Sequence, residues 1–319
     1  MLMTRIPVWM FPVVMTVMGA GAASGQDYPS KPIRVITNVI GGANDSTARL
    51  IGPGISATLG QPVIIDNRAT SMVGELVSKA PPDGYTLMLN SNSFYVTPLF
   101  RKAPFDPVRD FAPISLAARL PLILYVSLSL PVKSVKELIA LAKARPGELN
   151  NSHGPVSGGA AHLAGELFKS MAGVNIVGVP YSSQSSELAD LLTGRIHLTF
   201  TGPAALMEHV KLGKLRALAV TSTVPSPVVP GLPTVAASLP GYEAAQIIGI
   251  FAPSKTPEAI IKRLNQEVVR FLQTPGAKEK FLTLGYEIVG SPPEVLAATV
   301  KSEMAMVSKL IKDLGIKPE

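Results

Sequence analysis

Four short turns hold most of the chemistry that this sequence can offer. The first, Ile40-Gly41-Gly42-Ala43-Asn44-Asp45-Ser46, lies between a β-branched run and a helical pattern. Glycines there let backbone approach a ligand, and the free N–H groups of a helix start favour an anion. The order matches neither G-x-G-x-x-G nor a P-loop, and no Lys follows, so the turn has no nucleotide-site signature. The second turn, Asn90-Ser91-Asn92-Ser93, offers small polar side chains that can donate to a carboxylate. The third, Ser157-Gly158-Gly159-Ala160-Ala161-His162, opens a helix whose body (Leu163, Leu167, Met171) is apolar. The fourth is Pro180-Tyr181-Ser182-Ser183-Gln184-Ser185-Ser186, where Tyr181 can stack on or hydrogen-bond a ligand. Each also reads as an ordinary turn, with Asp45 or Ser46 as a helix cap and Tyr181 as packing. Together they fit one cleft of uncharged donors. The candidate residues are Gly41, Gly42, Asn44, Asp45, Ser91, Ser93, Ser157, Gly159, His162 and Tyr181, with Thr201 at a strand end.

Other chemistries find less support. The chain has no Cys, which excludes a disulfide framework, a thiol nucleophile and Cys-ligated metal. His153, His162, His197 and His209 show neither H-E-x-x-H nor H-x-H spacing, so neither metal nor cofactor is expected. No G-x-S-x-G elbow occurs; a Ser–His–Asp triad stays open, since its members need not be adjacent. The net charge of +7 comes from dispersed basic residues without an aromatic–basic stripe. Nucleic acid is therefore not expected, and the charge reads as a general attraction for anions. With 47% hydrophobic and 16% charged residues, the chain is too apolar for disorder.

Elements able to position these turns alternate along the chain. Strands are expected at Ile33–Val39, Val63–Ile65, Tyr85–Leu89, Leu122–Val126, Ile176–Val179, Ile196–Phe200, Ala217–Thr221 and Ile247–Ala252. Ser134-Val135-Lys136-Glu137 is a capping box that opens a helix stopped by Pro146-Gly147. Further helices are expected at Ala160–Met171, Glu187–Leu192, Pro203–Leu212, Pro257–Leu272, Gly276–Leu284 and Pro292–Leu314. The first helix, toward Leu59, contains Gly52-Pro53-Gly54, and a kink or break is expected there because Pro53 cannot bond to Arg49. The alternation predicts an α/β protein with mostly parallel sheets.

Residues 1–25 read as a secretory signal peptide: Arg5, an apolar run Ile6–Met18, then small residues through Gly25. The run is shorter than the roughly 20 residues of a spanning helix. An exported protein without cysteines fits a bacterial periplasm.

Motifs spread over the rest of the chain resemble one family. They include Tyr28-Pro29-Ser30-Lys31-Pro32-Ile33-Arg34, Asp66-Asn67-Arg68, Lys79-Ala80-Pro81-Pro82-Asp83-Gly84-Tyr85 and Asp110-Phe111-Ala112-Pro113-Ile114. His162-Leu163-Ala164-Gly165-Glu166-Leu167-Phe168, Val179-Pro180-Tyr181 and Gly213-Lys214-Leu215-Arg216-Ala217 continue the series. The sequence resembles the periplasmic solute-binding proteins of tripartite tricarboxylate transporters, the TctC or Bug family. The resemblance implies a two-lobed periplasmic-binding-protein-like (type II) fold, a Venus flytrap with crossover hinge strands. It places lobe one at 26–121 plus 251–319 and lobe two at 122–250. It also implies a monomer, a small organic carboxylate as ligand, held largely by backbone amides, small hydroxyls and water, and membrane permease subunits as partners.

The chain departs from the family pattern at four places. Ile40-Gly41-Gly42-Ala43-Asn44-Asp45 replaces a Pro-Gly-Gly-Gly-like loop, and Ala69-Thr70-Ser71-Met72-Val73-Gly74 replaces a Gly-rich segment. Thr201 stands where an Asp is frequent, and Ser182-Ser183-Gln184 where Lys-Gly-Gly is frequent. The alternatives to a carboxylate receptor are a divergent member acting as a sensor or interaction protein, and an exported hydrolase, whose turnover an alanine at His162 would abolish.

Overall fold

The computed structural model describes residues 28–154, 158–313 and 315. The leader reading for 1–25 and the candidate Ser157 lie outside the described residues.

Two sheets form, each around a parallel βαβαβ unit. In the first, β1 (Ile33–Thr37) leads through α1 (Ala43–Leu59) to β2 (Val63–Asn67). Then α2 (Thr70–Ser78) leads to β3 (Thr86–Ser91) and the short α3 (Ser93–Val96). Strand β4 (Phe111–Pro121) follows in the same sheet, and the chain crosses at Leu122 into β5 (Ile123–Ser127) of the second. There α4 (Val135–Ala144), β6 (Asn150–His153), α5 (Ala160–Ala172), β7 (Val177–Pro180) and α6 (Gln184–Thr193) follow. Strand β8 (Leu198–Thr201), α7 (Pro203–Lys211) and β9 (Leu215–Val220) complete that half. The chain returns through β10 (Ala245–Pro253) to α8 (Glu258–Leu272), α9 (Pro275–Thr283), β11 (Glu287–Ile288) and α10 (Pro293–Asp313).

The strand orders are β11-β4-β10-β3-β1-β2 and β7-β6-β8-β5-β9. Among the described residues, parallel strand pairing joins β1 with β2 and β3, and β6 with β7 and β8. The pairs made by β10 with β3 and β4, and by β5 with β8 and β9, are antiparallel. The sheets are thus mixed, not mostly parallel as the alternation predicts. The cause is the crossover. The parallel strands run toward the junction between the sheets, whereas β5 and β10 begin at that junction and must run away from it. Strand β10 pairs with the first sheet from Ala245 onward.

Period-two alternation explains the four apolar layers. In the first sheet, Val35, Leu87 and Leu89 face α1 and α8, while Ile36, Met88 and Phe251 face α2 and α10. In the second, Leu124, Val126 and Phe200 pack with Leu138 and Phe168, while Ile123, Tyr125 and Val220 pack with Leu191 and Leu206. Ser134 caps α4 as expected, its Oγ accepting from Glu137 N–H. Glu137 accepts from the N–H of Lys133, one residue before the cap.

Helix α1 runs through Pro53, so the expected break does not occur. Pro53 is exposed, so the carbonyl it leaves unbonded lies on the water side. The flanking glycines have packing reasons. A Cβ on Gly54 would lie 2.1 Å from the Phe271 ring of α8, and one on Gly52 would lie 3.1 Å from Ile65 of β2.

Candidate functional site

A cleft of about 520 Å³ opens where the carboxyl ends of β1 and β3 face those of β6 and β8. Such strand ends, at the point where neighbouring connections diverge, are where open α/β sheets bind ligands. Four corners and a floor build it.

The first corner is the turn into α1. Gly41 and Ala43 line the cleft, and Gly41 has φ +82°, a left-handed backbone that favours glycine. Asp45 folds this turn from behind. Its Oδ2 accepts from Gly41 N–H at 2.9 Å, its Oδ1 accepts from Asn67 Nδ2 at 2.8 Å, and it pairs with Arg49 at 2.9 Å. Burial pushes the Asp45 carboxyl up, but Arg49, the Gly41 amide and Asn67 together hold it below the usual carboxylate range. Asn44 donates to Asn90 Oδ1 at 2.9 Å and ties this corner to the next.

The second corner follows β3. Ser91 and Ser93 share a hydrogen bond at 2.9 Å, and both line the cleft with Asn92. The third is the start of α5, where Gly159, Ala160, Ala161 and His162 line the opposite wall. His162 Nδ1 accepts from Gly158 N–H at 3.2 Å, which places the ring proton of the neutral form on Nε2. Burial, reinforced by the His153 ring 4.7 Å away, lowers its pKa to about 4, so it is a neutral donor at physiological pH. The fourth corner is β8 into α7, with Thr201, Gly202, Ala204 and Ala205; Gln184 adds the start of α6. Leu120, Leu122, Phe200, Gln246 and Tyr286 floor the cleft beside the crossover.

Helices α1, α5 and α7 begin on Gly42, Gly159 and Gly202 respectively, each with extended backbone and no side-chain cap. The free N–H groups of these starts are therefore left to a ligand or to water; in α7, where Pro203 has no N–H and Ala205 N–H bonds to Gly202 O, that is the amide of Ala204. None of the described cleft-lining residues is Lys, Arg, Asp or Glu. Partial positive charge from helix starts, hydroxyls and amides is thus the main electrostatic feature. That suits an anion selected by shape and hydrogen bonding. Among the described residues, no group of three or more His, Asp or Glu is placed to hold a metal.

Of the sequence candidates, Gly41, Ser91, Ser93, Gly159, His162 and Thr201 line this cleft. Gly42 stands one residue behind the lining as the cap of α1. Asn44 and Asp45 are buried beneath the turn and are not among the lining residues. Tyr181 is not in the lining. Its hydroxyl donates to Asp190 at 2.6 Å, and burial together with that carboxylate pushes its pKa up to about 12. Sequence reasoning missed Gly202, Ala204 and Ala205. The available signal was Gly202-Pro203 after a strand, a glycine cap with proline at the first helical position. The floor had no local signal, because it forms only when both crossovers meet.

The family model described as tripartite tricarboxylate transporter family receptor, TctC, matches residues 47–316. A protein encoded in the tcbD-tcbE intergenic region of Pseudomonas sp. strain P51 is 36% identical over 306 residues, 94% of this chain and 91% of that one. Protein BugT of Bordetella pertussis is 32% identical over 306 residues, 93% of this chain and 94% of that one. Among solved structures, Rpa4515 of R. palustris with adipate is 37% identical, with a TM-score of 0.79 over 92% of this chain and all of that one (100%). MatC of Rhodopseudomonas palustris with bound malate is 28% identical, with a TM-score of 0.74 over 89% of this chain and 100% of that one.

Proposed function

The chain belongs to the tripartite tricarboxylate transporter receptor family, and from that premise we propose how its cleft works. The cleft captures a small organic carboxylate. The observation that carries this reading is the meeting of three helix starts without side-chain caps in one hollow that has no charged side chain among its described residues. Each helix start favours a nearby anion by about 0.3–1 kcal/mol, and more when water is excluded. Solved relatives holding adipate and malate support the ligand class.

Gly41, Ser91 and Ser93 from one wall and Gly159, His162 and Thr201 from the other contact the ligand, joined by Ser46, Asn92 and Gln184. Gly42, Asn44 and Asp45 hold the first turn in shape, and Tyr181 serves its own half. The lobes comprise residues 28–121 with 245–313, and residues 122–244, hinged at Leu122 and Ala244. Closure follows if the ligand interacts better with both walls together than with either alone.

The protein works in the periplasm after removal of its leader. It passes its ligand to a permease of the tripartite type, as a monomer and without catalysing a reaction. Among the described residues no helix is long and apolar enough to cross a membrane, which accords with this placement. Calorimetric titration with adipate, malate, citrate, glutamate and benzoate tests the reading. Saturable heat from at least one acid is expected; no heat from any of them contradicts it.

A further inference from the structure

Behind the cleft lies a second cavity of about 420 Å³, walled by α10, α5 and the segment that crosses into β10. Asn92 and Ala160 line both cavities, so a wall one residue thick separates them. On the far side stands Glu303 of α10. Its Oε2 accepts the Tyr95 hydroxyl at 2.7 Å and Asn92 Nδ2 at 3.4 Å. The same Nδ2 donates to Ala245 O at 3.1 Å, and Asn92 N–H donates to Ile247 O at 3.0 Å. One asparagine therefore touches the cleft, the crossover strand and an acid that the cleft does not contain.

We propose that Glu303 is a positioning residue, whose carboxyl holds the Asn92 side chain and links the state of the ligand cleft to a proton. The charged and titratable groups around it are few. Tyr95 comes from α3; Arg119 of β4 and Glu243 before β10 pair with each other at 2.9 Å. From α5 the cavity receives Ala160, Leu163 and Leu167, none of which titrates. Burial raises the Glu303 carboxyl to about 7, against the lowering effect of Tyr95, Asn92 and Arg119. Both protonation states are then populated near neutrality. The ionised form accepts two donors, as seen. In the protonated form the proton sits on Oε1, and Oε2, now a neutral carbonyl oxygen, holds the Tyr95 hydroxyl and the Asn92 amide more weakly. Ionisation also places a negative charge one residue behind an anion-binding wall. At a range of roughly 10 Å that charge weakens binding of a carboxylate by about twofold in a water-like medium and by more in a drier one.

The effect on affinity rests on the carboxylate reading above; the positioning of Asn92 does not. NMR of the purified protein separates the two. The Asn92 side-chain amide, assigned with Asn92→Asp, is followed across the neutral pH range in wild type, Glu303→Gln and Tyr95→Phe. Wild type is expected to titrate with a midpoint near 7. Glu303→Gln is expected to stay flat, and Tyr95→Phe to move the midpoint upward, since it removes a bond that favours the ionised form. An Asn92 amide that does not titrate in wild type, or that titrates equally in Glu303→Gln, overturns the assignment. Adipate affinity is the second measurement. It is expected to fall by at least about twofold from the acid to the alkaline side of neutrality in wild type and to stay constant in Glu303→Gln. Equal pH dependence in both proteins overturns the proton link. An Asn92 titration without adipate binding supports Glu303 and counts against adipate as ligand.

Discussion

Replacing Asp45 by Asn tests how the first turn is held. The carboxylate is 2% exposed and receives only donors: Gly41 N–H, Asn67 Nδ2 and the Arg49 guanidinium. Asn keeps the shape but turns one acceptor into an NH₂ group, which must face at least one of those donors. Arg49 is half exposed (51%), so its ion pair contributes little to stability, and the buried donors to Asp45 carry most of the cost. Leaving one or two of them unsatisfied costs about 1–3 kcal/mol. For a chain of this size that lowers the unfolding temperature by roughly 2–4 °C per kcal/mol. The pH dependence has a definite sign. The folded Asp45 carboxyl lies below its unfolded value of 3.8, so its contribution is present above that pH and lost as pH falls through the folded value. The gap between wild type and Asp45→Asn should therefore be widest at neutral pH and shrink in acid. Differential scanning calorimetry at neutral pH and at about pH 3 measures both quantities. Equal stabilities at neutral pH, or a gap that does not shrink in acid, would refute the assignment of Asp45 as the anchor of the turn. Carboxylate affinity should fall about tenfold, because Gly41 loses the bond that orients it.

Gly54→Ala should cost about 1–3 kcal/mol by urea denaturation, since its Cβ would meet the Phe271 ring, and Phe271→Leu in the same chain should recover part of that loss. His162, neutral when folded down to about pH 4, contributes stability that is complete above its unfolded value of 6.5 and lost as pH falls toward 4, by up to about 3 kcal/mol; His162→Phe should flatten that part of the pH–stability curve. Ser91→Ala and Ser93→Ala should each weaken carboxylate binding about fivefold by calorimetry, and the double variant should fall short of the product because the two hydroxyls bond to each other.

What the sequence discloses follows from how local each signal is. The capping box at Ser134 and the buried strand Leu122–Val126 depend on neighbours within a few residues, and both appear close to where they were expected. Strand β6 escaped notice because Asn150-Asn151-Ser152-His153 has no apolar pattern. It is a mostly buried polar strand whose Ser152 donates to Glu187 at 2.8 Å, as does Thr199 of β8. Strand β4 was hidden by Pro113, which the sheet accommodates at a register shift opposite Phe251. The turns after β1 and β3 are legible because a strand, a glycine or serine turn and a helix stand in sequence order, and the turn after β6 through its glycines and the apolar helix it opens. The turn after β7 carries the same signal, yet Tyr181 is not in the cleft lining, since β7 is the edge strand of its sheet. Which turns share a hollow is decided by strand order, and strand order is set by the two crossovers.

A crystal structure with a bound carboxylate tests the central claim most directly. The account predicts carboxylate oxygens within hydrogen-bond reach of the first amides of α1, α5 or α7 and of the Ser91–Ser93 corner, with no Lys or Arg in contact. A carboxylate held by a cationic side chain, or seated outside this cleft, would contradict it.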